Sequence, residues 1–127
     1  MISIYRVQDD EGRGPFRPGF SRRWIDAVGP DLPPSWIEEF GHDLIQREGR
    51  RHEHFGSGCM SLDGLRRWFS ADEIMRLRLL GYRIVRLDGC RGLAESVYQV
   101  VFARSRPFRL DAVEVQERDA ARAEPPR

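Results

Sequence analysis

The sequence predicts an α+β domain, in which a small mixed β-sheet made by an N-terminal strand and a C-terminal hairpin packs with three to four short helices. Residues 2–8 mostly alternate apolar and polar side chains, which is typical of a half-buried strand. Two consecutive helix-start signals follow between residues 61 and 80, and a strand–turn–strand pattern occupies residues 82–104. We expect one domain over residues 1–116 and a frayed, charged tail over residues 117–127.

The segment after the first strand combines turn-forming residues with two helix starts. Residues 9–19 contain three glycines and two prolines, so they predict a loop. Ser21 can cap a short helix that ends at residues 29–30, Gly-Pro. A capping box that starts at Ser35 predicts a further helix, which we expect to run to about Arg47.

The centre of the chain predicts a loop and then two helices. Residues 49–58 are rich in polar and ring side chains and predict the loop. Ser61 can cap the first helix, and Ser70 with Glu73 forms a capping box for the second. Gly81 fits the left-handed position that commonly ends a helix.

The last third of the chain predicts a hairpin. Residues 82–87 form its first strand, residues 88–92 (DGCRG) its turn, and residues 97–104 its second strand. Residues 109–115 can add a short terminal strand.

Composition excludes several classes of protein. A hydrophobic fraction of 40% and a charged fraction of 32% are typical of a globular domain, and the net charge of +1 gives no general attraction to nucleic acid or membranes. No apolar run is long enough to span a bilayer, and we expect no signal peptide and a cytoplasmic location. Every basic side chain is arginine, whose planar guanidinium suits carboxylates, phosphates and stacking.

Metal and thiol chemistry are the first two candidate functions. His52, His54, Cys59 and Cys90 carry the donor atoms that zinc prefers, but no CxxC pair is present, so we expect no metal. Cys90 beside Arg91 resembles an activated thiol only if it is exposed near a base, and the alternative is an incidental turn cysteine.

Macromolecular partners are a third possibility. Arginine pairs occur along the chain, but acidic residues are interleaved nearly one for one, so we do not expect nucleic acid as a partner. The Gly/Pro-rich loop over residues 11–20 offers Arg13, Phe16, Arg17 and Phe20 to a protein partner, because aromatic and arginine side chains dominate binding energy at interfaces. The alternative is that this loop folds back over the core.

A nucleotide pocket is the remaining candidate. Arg6 lies on the first strand and could hold a phosphate, while rings at His54 and Phe55 could stack on a base. Polar side chains near the final hairpin could face them: Asp88, Glu95 and Gln99.

The motifs YR in the first strand, HFG before SLDGL, and LGYRIVRLDG leading into VYQVVF resemble the layout of small phage-borne ADP-ribosyltransferase-like proteins, some of which are anti-CRISPR inhibitors. The resemblance implies that Arg6 anchors NAD, that His54 or Ser61 lines the pocket, and that Asp88 or Glu95 is the acidic catalyst. It also implies a phage-borne enzyme that modifies or inhibits a host defence protein.

The chain departs from that family because Gln99 is followed by Val100 and Val101 and so opens no Q-x-E motif, and because a chain without threonine has no S-T-S strand. The sequence thus leaves two hypotheses: an NAD-using transferase, or a non-catalytic inhibitor that acts through its aromatic and arginine surface. The enzyme hypothesis requires that Arg6 and Asp88 face the same cleft.

Overall fold

A computed structural model describes residues 1–15 and 39–116, which form an antiparallel sheet with helices packed on it. The strands are β1 (Ile2–Gln8), β2 (His54–Gly58), β3 (Arg83–Glu95), β4 (Val100–Arg104) and β5 (Val113–Glu114). The helices with defined bounds are α1 (Leu44–Glu48), α2 (Leu62–Trp68) and α3 (Ala71–Leu79). The predicted α+β class is confirmed, although the pairings among the described strands are all antiparallel, where a mixed sheet was expected.

The sheet curls until its two outer strands meet. Its order is β1–β3–β4–β2, with β5 paired to β3. Tyr5 of β1 and Cys59, which follows β2, exchange two backbone hydrogen bonds of 2.8 Å. The sheet is therefore closed at the Tyr5–Cys59 pair. Away from this pair β1 and β2 lie side by side without a ladder of hydrogen bonds, and we call this gap the seam.

The curled sheet has an apolar layer on each face. Outside it, Val7, Leu65, Phe69 and Leu77 belong to a cluster that joins β1 to α2 and α3. Inside it, the cluster is formed by Ile4, Val85, Leu87, Cys90, Val100 and Phe102. Because alternate residues of a strand point to opposite faces, β1 is buried on both.

The helix-start predictions in the centre of the chain are confirmed. The Ser61 side chain accepts a hydrogen bond from the Gly64 backbone at the start of α2. Ser70 and Glu73 form the predicted capping box at the start of α3. Gly81 follows the C-cap Leu80 of α3 and has a φ of +93°, in the left-handed region that favours glycine.

The predicted turn at residues 88–92 is wrong. β3 continues through this segment to Glu95, and the hairpin to β4 turns after it. Ile2 pairs with Cys90 and Ile4 with Leu87, so β3 has one extra residue between the two pairs. Gly89, with a φ of +69°, takes up that residue as a bulge, so the Asp-Gly pair bends a strand where the sequence predicted its end.

Two further predictions need correction. Residues 54–58, expected in a loop, form β2, because pairing with the apolar strand β4 supplies their hydrogen bonds. The helix expected to reach Arg47 is not continuous: Gly41 has a φ of +91°, and α1 begins after it. The helix predicted after Ser21 and the tail over residues 117–127 lie outside the described residues.

Candidate anion-binding cleft

The seam between β1 and β2 opens into a cleft of about 700 Å³, a size typical of small-molecule sites. Its walls come from β1, from the segment before and along β2, and from α2. The loop after β1 contributes residues 11–15 to its lining, and the turn after β4 contributes Pro107, Phe108 and Arg109.

Arg6 is the most unusual residue in the cleft. Its side chain is only 9% exposed, and its Nε and Nη1 atoms have no hydrogen-bond partner among the described residues. Burial lowers the pKa of this guanidinium to about 10, and Asp9 partly opposes the shift. Arg6 therefore stays charged at neutral pH, so a buried cation with free donors faces the cleft.

An aromatic ring covers this cation. The guanidinium carbon lies 4.8 Å from the centre of the Phe108 ring, a cation–π contact. Gly56 makes room for both groups, because a Cβ at that position lies 2.8 Å from Arg6 Nη1 and 2.8 Å from Phe108 Cε2. Phe108 also packs against Phe102, with ring centres 5.1 Å apart. The ring therefore contacts the core on one side and the cation on another.

Two other charged side chains at the cleft, Glu53 and Arg13, form ion pairs. Glu53 accepts two hydrogen bonds from Arg91, of 2.6 and 3.1 Å, and these lower the pKa of its carboxyl group. Arg13 contacts Glu11 at 3.0 Å and Asp9 at 3.4 Å. None of these pairs reaches Arg6 Nε or Nη1.

Four of the five residues predicted to bind the cofactor line the cleft: Arg6, His54, Phe55 and Gln99. His54 is exposed at its rim, with its ring 6.2 Å from that of Phe108. Gln99 is buried and donates to Glu39, which also binds Ser96. Ser61 does not line the cleft, because its hydroxyl caps α2.

The two carboxylates predicted to be catalytic lie elsewhere. Asp88 lines a separate depression with Arg104 and Asp111, and its carboxylate binds Arg86 and Ser3, which lower its pKa. Glu95 is exposed at the end of β3 and is not among the residues that line the cleft. The cleft shared by Arg6 and Asp88, which the enzyme hypothesis required, is not found among the described residues, because the bulge keeps Asp88 on β3.

The cysteines do not support the thiol hypothesis. Cys59 and Cys90 are free and buried, and burial raises the pKa of each thiol to about 11, so neither is a thiolate at neutral pH. Within residues 1–15 and 39–116, no three His, Cys, Asp or Glu side chains are grouped so that they could hold a metal ion.

The predicted partner loop is described only in part. Arg13 is exposed and forms the ion pairs given above, whereas Phe16, Arg17 and Phe20 lie outside the described residues. No helix in the part of the chain that the structure describes is long and apolar enough to cross a membrane.

Sequence reasoning missed Phe108, Arg109 and Glu53. Phe108 lies between two predicted strands and Arg109 is the first residue of the predicted terminal strand, and no periodicity at either position indicates burial. The local sequence signal for this turn is Pro107, which restricts the backbone and is followed by an aromatic side chain and an arginine.

The model of one protein family, the bacteriophage T4 Y00F protein, matches residues 1–116. No curated protein and no solved structure gives a significant match.

Proposed function

Because the chain belongs to the bacteriophage T4 Y00F protein family, we propose that it is a phage protein that binds a phosphate-bearing nucleotide in the Arg6 cleft and acts against a host protein. NAD is the first candidate ligand. The observation that carries the proposal is the buried Arg6 guanidinium with two free donor atoms at the cleft. A buried cation without an anionic partner is costly, and a bound phosphate offsets that cost.

The other cleft residues support a nucleotide more than a small inorganic anion. A phosphate can meet Arg6, while Phe108, His54 and Phe55 offer ring surfaces to a base or nicotinamide. A volume of about 700 Å³ accommodates a ligand much larger than a single phosphate.

Transfer of ADP-ribose is the finer form of this proposal. It requires a carboxylate to stabilise the cation that forms on the ribose when the bond to nicotinamide breaks. Since Asp88 and Glu95 do not line the cleft, a transferase with Asp88 as its acidic catalyst does not fit this geometry. The proposal instead assigns the role to Glu53, which lines the cleft and which Arg91 keeps ionised. The nicotinamide leaves with the bonding electrons, and a nucleophile of the host protein bonds to the ribose carbon.

NAD is expected to raise the melting temperature of the protein, since a ligand that binds only the folded state stabilises it by about 2.7 kcal/mol at a hundred times its Kd. Thermal unfolding over a millimolar range of NAD measures this. Arg6→Met should abolish the shift, and Arg83→Met, a change at an exposed arginine of β3 away from the cleft, should preserve it. Unchanged melting of the parent protein over the whole range contradicts NAD binding.

Release of nicotinamide in the same samples, lost in Glu53→Gln, distinguishes transfer or hydrolysis from binding alone.

A protein-binding role without catalysis is the second candidate, and an apolar face of α3 favours it. Met75 and Leu79 are one helical turn apart and are 62% and 88% exposed. Exposed apolar side chains that lie side by side are typical of interaction surfaces.

Changing Met75 and Leu79 together to serine is expected to weaken retention of a host protein by the tagged chain at least tenfold, because an apolar contact is lost. Quantitative pull-down measures this, with Asp72→Ser on the same helix as the control. Equal retention by both variants contradicts α3 as the interface.

A further inference from the structure

The turn that covers Arg6 also carries Arg109 at the cleft, and two buried side chains hold that turn in place. Gln8 donates to the Phe108 carbonyl over 2.8 Å. Arg104 donates to the Pro107 carbonyl over 2.9 Å and also to the Leu110 carbonyl. Gln8 and Arg104 are only 2% and 4% exposed. The position of the Arg109 backbone is therefore fixed by the interior of the sheet.

The charges that line the cleft do not balance. Its cations are Arg6, Arg13 and Arg109, and its anions are Glu11 and Glu53. Arg13 pairs with Glu11 and Asp9, and Glu53 pairs with Arg91, which lies outside the cleft. Among the described residues, no ion pair or hydrogen bond engages the Arg109 side chain. Two uncompensated guanidinium groups therefore remain, one buried and one exposed.

We propose that Arg109 is a second anion-binding residue of the cleft, so that its ligand is a diphosphate ester such as a nucleoside diphosphate or a dinucleotide. This inference rests on the proposed nucleotide site. Arg6 binds one phosphate at the buried end, and Arg109 binds the neighbouring phosphate at the rim. Phe108, the chain neighbour of Arg109, covers the Arg6 guanidinium with its ring, so the two arginines lie on either side of one aromatic residue in the cleft lining: Arg6 in contact with it and Arg109 next to it in sequence. Arginine suits this role because its fork of donors matches phosphate oxygens.

Calorimetric titration of the full chain with ADP and with AMP, at one ionic strength, tests the proposal. ADP is expected to bind about tenfold more tightly than AMP, the change that one added charge-assisted contact gives. Arg109→Gln should remove most of this difference by weakening ADP, while AMP stays within about twofold. Arg106→Gln is the matched control, because Arg106 is an exposed arginine nearby that pairs with Asp111 and does not line the cleft.

The possible outcomes separate this inference from the function on which it rests. If both nucleotides bind and Arg109→Gln leaves their ratio unchanged, the second anchor is wrong and the Arg6 site stands. If neither ADP, AMP nor NAD binds, the nucleotide site itself is wrong and the inference falls with it. Retention of the ADP preference by Arg109→Lys supports a charge contact over a packing role.

Discussion

Replacing Arg6 with methionine is expected to stabilise the ligand-free protein, by roughly 1–3 kcal/mol in unfolding free energy. Burial lowers the pKa of Arg6 to about 10, which corresponds to about 3 kcal/mol of unfavourable free energy for the charged form in the folded state. Methionine keeps an unbranched apolar stem and removes the charge. Loss of the contact with Phe108, about 1 kcal/mol, offsets part of the gain. Chemical denaturation at pH 7 measures the difference.

The pH dependence of this gain has a definite sign. The pKa of Arg6 is lower in the folded state than in the unfolded state, so its charge destabilises the fold wherever it is protonated. The advantage of Arg6→Met is therefore complete at pH 7–9 and declines as the pH rises through about 10. If Arg6→Met is less stable than the parent protein at pH 7 and the difference does not change with pH, Arg6 is not an unpaired buried charge.

The combination of higher stability and lost binding identifies Arg6 as a functional residue. A side chain retained for packing destabilises the protein when it is removed, and a surface arginine changes stability little. If Arg6→Met melts higher and no longer responds to NAD, the cost of burying the charge is explained by the ligand it binds. The exposed control Arg83→Met separates this pattern from a general effect of lowering the positive charge.

The sequence predicted the elements that depend on local signals. Ser61 and Ser70 accept hydrogen bonds from the backbone of the helix that each begins, and Gly81 takes the left-handed conformation that ends α3. Each of these signals lies within a few residues of the sequence, so it could be predicted without knowing the fold. The first strand was likewise visible as alternation over residues 2–8. The alternation of apolar and polar side chains could not show which face of that strand is buried, and in the structure both faces are buried.

The site depends on long-range pairing, which the sequence does not encode locally. Arg6 shares a strand face with Ile4, and it is buried because the sheet curls and Phe108, about a hundred residues away in sequence, covers it. Asp88 was assigned to a turn because Asp-Gly is a strong turn signal. In the structure the same pair makes a bulge, since β1 pairs with β3 on both sides of it. Local sequence signals therefore identified Arg6 as a residue of the cleft, but they predicted the wrong position for Asp88, the carboxylate expected to face it.

Replacing Gly58 with alanine is expected to destabilise the protein by roughly 2–3 kcal/mol, because the added methyl group meets atoms that cannot move away. A Cβ at Gly58 lies 2.4 Å from Ile4 Cγ2 and 2.7 Å from the Tyr5 carbonyl oxygen. That carbonyl accepts the hydrogen bond from Cys59 that closes the sheet, so it cannot move without opening the seam. Ile4 is fully buried in the inner cluster and cannot yield either.

Gly56→Ala, two residues earlier on the same face of β2, is the matched control. Its Cβ meets the ends of the Arg6 and Phe108 side chains rather than backbone atoms, so the cost in stability should be smaller than that of Gly58→Ala. Because those side chains form the cleft, the same change should weaken nucleotide binding. Equilibrium unfolding of both variants, with NAD titrations of the stable one, measures the contrast. Equal stability of the two variants contradicts the closure of the sheet at Tyr5 and Cys59.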